Sequence, residues 1–132
     1  AKFATPGVNI GLFCSTPMVA ISRNLSSKHS MEMLLTGELI SSDKAAKIGL
    51  INDVIEINKL KDFTLDKAQK ISKKSSVTLK IGKEAFYKQL DMKLSDAYDY
   101  ASKVMVQNML KLDAKEGIDA FIDKREPNWK DK

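Results

Sequence analysis

Ala1-Lys-Phe-Ala-Thr-Pro-Gly-Val-Asn-Ile-Gly-Leu-Phe-Cys-Ser-Thr16 has the layout of a short strand followed by a loop. The first four residues favour an extended strand, which Pro6 and Gly7 end. The residues that follow, up to Ser15, lack a helical period and include a glycine. We therefore predict a loop after the strand.

A helix is predicted to leave this loop over residues 17–26. Thr16 before Pro17 is a favourable helix start, because a hydroxyl can cap free N–H groups and proline lacks an N–H that would go unpaired. The N-terminus of this helix presents its remaining free N–H groups and the positive end of its dipole to the loop. These groups could face an anionic group such as a phosphate.

The opening stretch resembles the Ala-Lys-Phe-x-x-Pro-Glu-x-x-x-Gly segment of the crotonase family, the enoyl-CoA hydratases and isomerases. In that family the glutamate after the proline is a catalytic acid/base. The corresponding residue here is Gly7, which has no group that can move a proton. The resemblance is greatest to the subgroup of enoyl-CoA hydratase domain-containing proteins with Thr-Pro-Gly in place of Pro-Glu.

Two further motifs extend the resemblance over nearly the whole chain. Residues 31–54 are similar to the family's E-M-x-L-T-G-x-x-I-S-A-x-E-A-x-x-x-G-L-V-x-x-V block. Residues 116–129 are similar to its E-G-x-x-A-F-x-x-K-R-x-P-x-W terminus. Three ordered motifs at family-like separations are much more specific than any one of them.

The resemblance implies an α/β fold, the crotonase-like (ClpP/crotonase) spiral, of which this chain is the mostly helical C-terminal part. We expect residues 1–55 to form the end of the spiral core with the active-site loop, and residues 56–132 to form a helical oligomerisation region. Family members are about twice as long and place an oxyanion-hole glycine segment and a second acid upstream, whereas this chain starts at Ala1 without a methionine. We therefore expect it to be inactive alone.

Apolar periodicity and capping residues predict the remaining elements. Helices are predicted at 28–36, ending at Gly37, and from Ser41 or Ser42 to 47, followed by a strand or extended edge at 51–55. Further helices are predicted at about 60–71, at about 77–90, from Ser95 to about 112, and from a reciprocal N-cap of Asp113 and Glu116 onward. The helix after Ser95 is apolar beyond one face, which indicates either a subunit contact or a path through the middle of its own domain.

Few residues are candidates for other chemistry. Family relatives with different reactions place an aspartate where this chain has Ser15, but no activating base is near it in sequence, since the only histidine is His29. Cys14 is interpreted as a small buried thiol, because no positive partner is visible. One histidine and one cysteine give no metal-ligand spacing, so no metal site is predicted.

Phe121 and Lys124 match the family's Phe-x-x-Lys. The resemblance implies that this pair contacts the adenine and phosphates of coenzyme A, often from a neighbouring subunit. Coenzyme A would then enter as part of the substrate thioester, and no separate cofactor is expected. The family likewise implies a homotrimer or a dimer of trimers.

Composition limits the other function classes. The chain has 22 Lys+Arg and 17 Asp+Glu, which gives a net charge of +5. The basic residues are interleaved with acids and form no arginine stripe, and the sequence shows no aromatic stacking platform. Nucleic acid is therefore not an expected partner. No apolar run approaches the length of a membrane span. The single cysteine excludes an internal disulfide and fits the cytoplasm or the mitochondrial matrix.

The preferred function is acyl-CoA binding by a divergent family member without standard hydratase activity. One alternative is an active lyase, isomerase or thioesterase that uses an acid from the upstream half. Another is a non-catalytic oligomerisation subunit. An upstream Gly-Gly oxyanion motif followed by a helix with an acid would favour the enzyme.

Overall fold

A computed structural model describes residues 1–131 as two compact units, Ala1–Leu60 and a second unit that begins at Lys61. Most of the chain is helical, as expected. The elements in order are β1 (Lys2–Phe3), a 3-10 helix (Pro6–Ile10), α1 (Ser15–Asn24), α2 (Ser27–Thr36), β2 (Ile40–Ser41), α3 (Ser42–Lys47), α4 (Leu60–Ser72), α5 (Ser76–Gln89), α6 (Leu94–Met109) and α7 (Leu112–Ile122).

The first unit is organised around α2. The strand β1 pairs antiparallel with β2, with Lys2 opposite Ser41. The hydroxyl of the buried Thr5 donates a 2.8 Å hydrogen bond to the carbonyl of Met33 on α2. This bond ties the segment after β1 to the core, whose buried apolar residues in this unit are Leu25, Met33, Leu34 and Ala45.

Local capping fixes the ends of two helices as the sequence predicts. Gly37 ends α2 at a φ of 60°, a left-handed conformation that costs glycine little because it has no Cβ. The hydroxyl of Ser41 accepts a 3.1 Å hydrogen bond from the Lys44 N–H and caps α3. Both predictions are confirmed.

Three predictions for the first unit are corrected. Helix α1 begins at Ser15, so Thr16 is not its cap, and a 2.7 Å bond from the Ser15 N–H to the Phe13 carbonyl forms the turn that leads into it. The predicted loop contains the 3-10 helix Pro6–Ile10. Residues 51–55 are not a strand; they leave the turn that ends α3, where the Leu50 N–H returns to the Ala45 carbonyl at 2.9 Å.

The second unit contains α5, α6 and α7, which pack on one another, together with nearly all of α4. Helix α5 begins within one residue of its predicted start, and Ser75 caps it by accepting a 3.2 Å bond from the Thr78 N–H. Ser95 is not the cap of α6, which begins at Leu94 after Lys93. The apolar residues of α4 are exposed; the exposed fraction of Ile71, for example, is 56%. Their helical periodicity alone therefore did not predict whether they are buried.

Among residues 1–131, none of the helices combines the length and apolar character needed to cross a bilayer.

Candidate functional site

Gly7, at the family's acid position, lies in the 3-10 helix with both of its backbone groups bound inside the loop. Its N–H donates to Cys14 Sγ at 3.3 Å, and its carbonyl accepts from the Leu12 N–H at 2.9 Å. A Cβ placed on Gly7 would lie 2.7 Å from the Leu12 carbonyl oxygen and 2.8 Å from Cys14 Sγ. These separations are well inside van der Waals contact, so the loop closes over the space that a side chain would need.

Ser15, at the alternative acid position, is the first residue of α1 and is exposed. Its hydroxyl donates a 3.3 Å hydrogen bond to the Phe13 carbonyl, which is a helix-entry contact. His29 lies on α2, where the nearest charged group to its Nδ1 is the Glu32 carboxylate at 3.7 Å. The Ser15 hydroxyl and the His29 Nδ1 thus lie beside different groups, the Phe13 carbonyl and the Glu32 carboxylate. The Cys14 thiol is half-buried against Gly7.

In the second unit, a cavity of about 480 Å³ is lined by residues of α5, α6 and α7 and by the C-terminal segment. Phe121 forms part of its wall and is 85% exposed. Asn108 also lines it, and Asn108 Oδ1 is buried with no hydrogen-bond partner among residues 1–131. The lining combines apolar residues such as Leu79 and Ile118 with polar ones such as Thr78 and Asn108, a mixture found in small-molecule pockets.

Lys124 lies two residues after the end of α7, beyond the C-cap Asp123, and has a φ of 54°, in the left-handed region. Its N–H donates to the Phe121 carbonyl at 3.3 Å, and the Arg125 N–H donates to the Ala120 carbonyl at 3.0 Å. This pair of bonds is the Schellman motif, whose left-handed position is most often glycine. A lysine in this left-handed conformation has a higher conformational free energy than glycine would have.

The segment after Lys124 is held by Glu116. Arg125 Nη1 and Nη2 donate to Glu116 Oε1 and Oε2 at 2.7 and 3.1 Å, a bidentate ion pair. Glu116 Oε1 also accepts the Asn128 N–H at 2.6 Å. The hydrogen bond from Arg125, followed by that from Asn128, lowers the pKa of Glu116 from 4.5 to about 2.

Asp113 and Glu116 do not form the predicted reciprocal N-cap. Helix α7 begins at Leu112 after Lys111, with no side-chain cap. Asp113 is 2% exposed, and its carboxylate accepts the backbone N–H groups of Lys130 and Asp131 at 2.7 and 3.1 Å. Both carboxylates instead accept hydrogen bonds from the C-terminal segment where it returns to α7.

Burial alone would raise the pKa of Asp113. The hydrogen bonds from Ser75, Lys130 and Asp131 outweigh burial and lower the pKa below its ordinary value. Asp113 is therefore held as a carboxylate by its donors and serves as a structural anchor for the C-terminal segment.

The C-terminal segment closes against α4, α5 and α7. Trp129 Nε1 donates to the Lys73 carbonyl at 2.8 Å, and its ring lies 3.3 Å from where a Cβ on Gly117 would be. Asp131 Oδ1 accepts both the N–H and the hydroxyl of Ser76 at the start of α5, at 2.8 and 2.7 Å. Trp129 and Gly117 line the cavity that Phe121 also lines.

Sequence reasoning found Gly7, Ser15, Phe121 and Lys124 through motif position, and the structure distributes them over the two units. It missed the partners of Glu116, which are Arg125 and Asn128. The one available signal was the opposite charge of Glu116 and Arg125 within the same family-like motif, which permits an ion pair but does not specify one.

This chain is similar in sequence to curated proteins and in fold to solved structures. The mouse enoyl-CoA hydratase domain-containing protein 3, mitochondrial, is 50% identical over 129 residues, covering 98% of this chain and 43% of the mouse protein. The human protein of the same name is 46% identical over the same length and coverage. The chain thus spans less than half the length of these curated relatives, and the expected likeness to this subgroup is confirmed.

Solved structures confirm the expected fold class. The enoyl-CoA hydratase of Mycobacterium smegmatis matches with a TM-score of 0.94 and 43% identity, over 98% of this chain and 50% of that chain. The human enoyl-CoA hydratase domain-containing protein 3 matches with a TM-score of 0.92 and 46% identity, over 98% of this chain and 51% of that one. The family model for enoyl-CoA hydratase/isomerase matches residues 1–132. The chain therefore belongs to the enoyl-CoA hydratase/isomerase family.

Proposed function

We propose that this chain is part of an acyl-CoA-binding protein that lacks standard hydratase activity. The observation that supports this most directly is the closed loop at Gly7, where a β-carbon would lie 2.7 Å from the Leu12 carbonyl oxygen. The family's acid/base is therefore absent, and its space is occupied. A positioned acid or base contributes about 10²–10⁴-fold to rate, so its loss removes a large part of hydratase catalysis.

Acyl-CoA binding does not need that acid. In the family, backbone N–H groups hold the thioester oxygen, and such contacts stabilise the enolate-like charge that develops there. The net charge of +5 favours a ligand with phosphates. Phe121 is exposed beside a cavity, and Lys124 extends from a fixed turn, so both are free to contact a nucleotide.

The test uses the full-length protein with crotonyl-CoA. Calorimetry should detect binding, while hydration, followed by loss of the conjugated thioester absorbance, should remain near the uncatalysed rate. Rapid hydration by the wild type would overturn the proposal. Turnover of an acyl-CoA by another reaction, such as thioester hydrolysis or double-bond migration, would instead support an enzyme with its acid in the upstream half.

Lys124 is proposed to pair with a phosphate of coenzyme A. Lys124→Ala should weaken acyl-CoA binding by about 1–2 kcal/mol at low salt, the value of one charge-assisted contact. Lys83→Ala on α5 removes the same charge away from the turn and is the matched control. Equal affinity for wild type and Lys124→Ala would exclude this contact.

Self-assembly into trimers or dimers of trimers is proposed from α6. Several of its apolar side chains and the residue after it are more than half exposed, namely Met105, Val106, Met109 and Leu110. A row of this kind is buried either by a subunit contact or by another part of the same protein, and we propose the subunit contact. Light scattering of the full-length protein that gave a stable monomer at micromolar concentration would contradict this assembly.

A mitochondrial location is proposed because the relatives at 46–50% identity are named as mitochondrial proteins. A fluorescent protein fused to the C-terminus of the full-length protein should co-localise with a mitochondrial marker. A diffuse cytoplasmic signal from the intact fusion would reject this location.

A further inference from the structure

The turn that presents Lys124 is fixed on both sides. On the helix side, the Schellman bonds from Lys124 and Arg125 return to the Phe121 and Ala120 carbonyls at 3.3 and 3.0 Å. On the far side, the Arg125 side chain is anchored by two bonds to Glu116, which lies nine residues earlier on α7. The backbone of Lys124 therefore has little freedom to leave its left-handed conformation.

Glu116 connects this anchor to the chain beyond the turn. Its Oε1 accepts from both Arg125 Nη1 at 2.7 Å and the Asn128 N–H at 2.6 Å. Arg125 Nη1 also donates to the Glu126 carbonyl at 3.3 Å. The Glu116 carboxylate thus orders the segment from Arg125 to Asn128. Only 21% of the Glu116 side chain is exposed.

Lysine is an unfavourable residue for this backbone position. Glycine would satisfy the same two Schellman bonds without a Cβ in the left-handed region. A strained position that retains a long charged side chain indicates a role for that side chain outside folding. The Glu116–Arg125 pair supplies the local stability that keeps the strained lysine in place.

We propose that Glu116 and Arg125 are positioning residues, which hold the Lys124 turn so that its ammonium meets a phosphate of coenzyme A. The inference rests on the proposed function, since it assumes that Lys124 contacts the ligand. Its physical basis is preorganisation: a turn that is already ordered loses less conformational entropy when the ligand binds. Glu116 and Arg125 themselves need not touch the ligand.

The test is a double-mutant cycle in the full-length protein, with coenzyme A as the calorimetric probe. We expect Lys124→Ala to weaken binding about 5- to 30-fold, and Glu116→Gln to weaken it about 3- to 10-fold. In the Lys124→Ala background, Glu116→Gln should have no further effect, because the ammonium that it positions is gone. A merely structural role would give the same loss in both backgrounds.

Asp119→Asn is the matched control, since it removes one carboxylate of the Lys115–Asp119 ion pair from the same helix without touching the turn. It should leave the affinity within about twofold of wild type. Arg125→Gln breaks the Glu116 pair from the other side and should reproduce the Glu116→Gln loss, which guards against a folding defect specific to one variant.

The outcomes separate the two proposals. If Lys124→Ala leaves the affinity unchanged, the phosphate contact is absent and the positioning role is refuted with it. The contact stands and the positioning role is refuted if Lys124→Ala weakens binding but Glu116→Gln and Arg125→Gln do not. The same conclusion follows if the loss of affinity in Glu116→Gln or Arg125→Gln is additive with the loss in Lys124→Ala.

Discussion

Restoring the family's acid by Gly7→Glu should not restore hydratase activity. The sequence alone suggests that one substitution returns the missing carboxylate, with a gain of up to about 10²–10⁴-fold in rate. In the structure, the first atom of the new side chain would lie 2.7 Å from the Leu12 carbonyl oxygen and 2.8 Å from Cys14 Sγ. The loop must open before the carboxylate can reach any substrate.

The size of this effect follows from the contact distances. Ordinary van der Waals contact begins at 3.4 Å, so the Leu12 carbonyl must retreat by about 0.7 Å. Such overpacking costs about 1–3 kcal/mol of folding free energy. A displacement of about 1 Å at a reacting group costs about 10²-fold in rate, which cancels most of the expected gain. We therefore expect less than a tenfold increase in hydration.

The assay compares Gly7→Glu and Gly7→Ala with wild type in the full-length protein. Crotonyl-CoA hydration is followed by absorbance, and the free energy of unfolding is obtained from urea titrations. Both variants should be less stable than wild type, since both carry the obstructed Cβ. A Gly7→Glu protein as stable as wild type, with hydration raised 10²-fold or more, would refute the reasoning and show that the loop accommodates the acid.

The remaining predictions concern the second unit. Gly82→Ala on α5 should raise the free energy of unfolding by about 0.5–1 kcal/mol, because the added methyl group meets nothing within 4 Å beyond its chain neighbours and the adjacent backbone of its own helix, and alanine loses less entropy in a helix. A urea titration showing destabilisation would contradict it. Lys124→Gly should stabilise the end of α7 by about 1 kcal/mol and weaken coenzyme A binding. Urea titration measures the stability and calorimetry measures the binding. A fall in stability would contradict this prediction. The Glu116 pKa is lowered in the folded protein, so its stabilising effect is complete above 4.5 and lost as the pH falls towards about 2. Thermal melts across this range should become less pH-dependent in Glu116→Gln, and an unchanged pH dependence would count against the ion pair with Arg125.

Several features were predictable because their causes are local. A hydroxyl three residues before a free N–H, as at Ser41 and Lys44, caps a helix wherever that helix packs. Gly37 ends α2 because only the backbone of that residue must adopt a positive φ. The family motifs were equally available, since they are read as residues in order along the chain, and the matching fold confirmed them.

Other predictions failed because the same residue types suit more than one arrangement. Asp113 has the residue type and spacing of a helix cap, yet it accepts N–H groups from Lys130 and Asp131, 17 and 18 residues later. Nothing in a short window distinguishes a cap from a buried anchor. The difference is decided when the C-terminal segment returns to α7 and the carboxylate is enclosed with three donors.

The sequence by itself determined the family, the order of most helices and the absence of an acid at Gly7, because these depend on residue identity and short spacings. Only the tertiary structure decided whether that acid could be put back. The space beside Gly7 is occupied by the Leu12 carbonyl oxygen and Cys14 Sγ. These atoms lie there because of the path that the loop backbone takes, which no pattern of residue types predicts. The partners of Glu116 were likewise fixed by the return of the chain, since a carboxylate bonds to whichever donors the fold brings within reach.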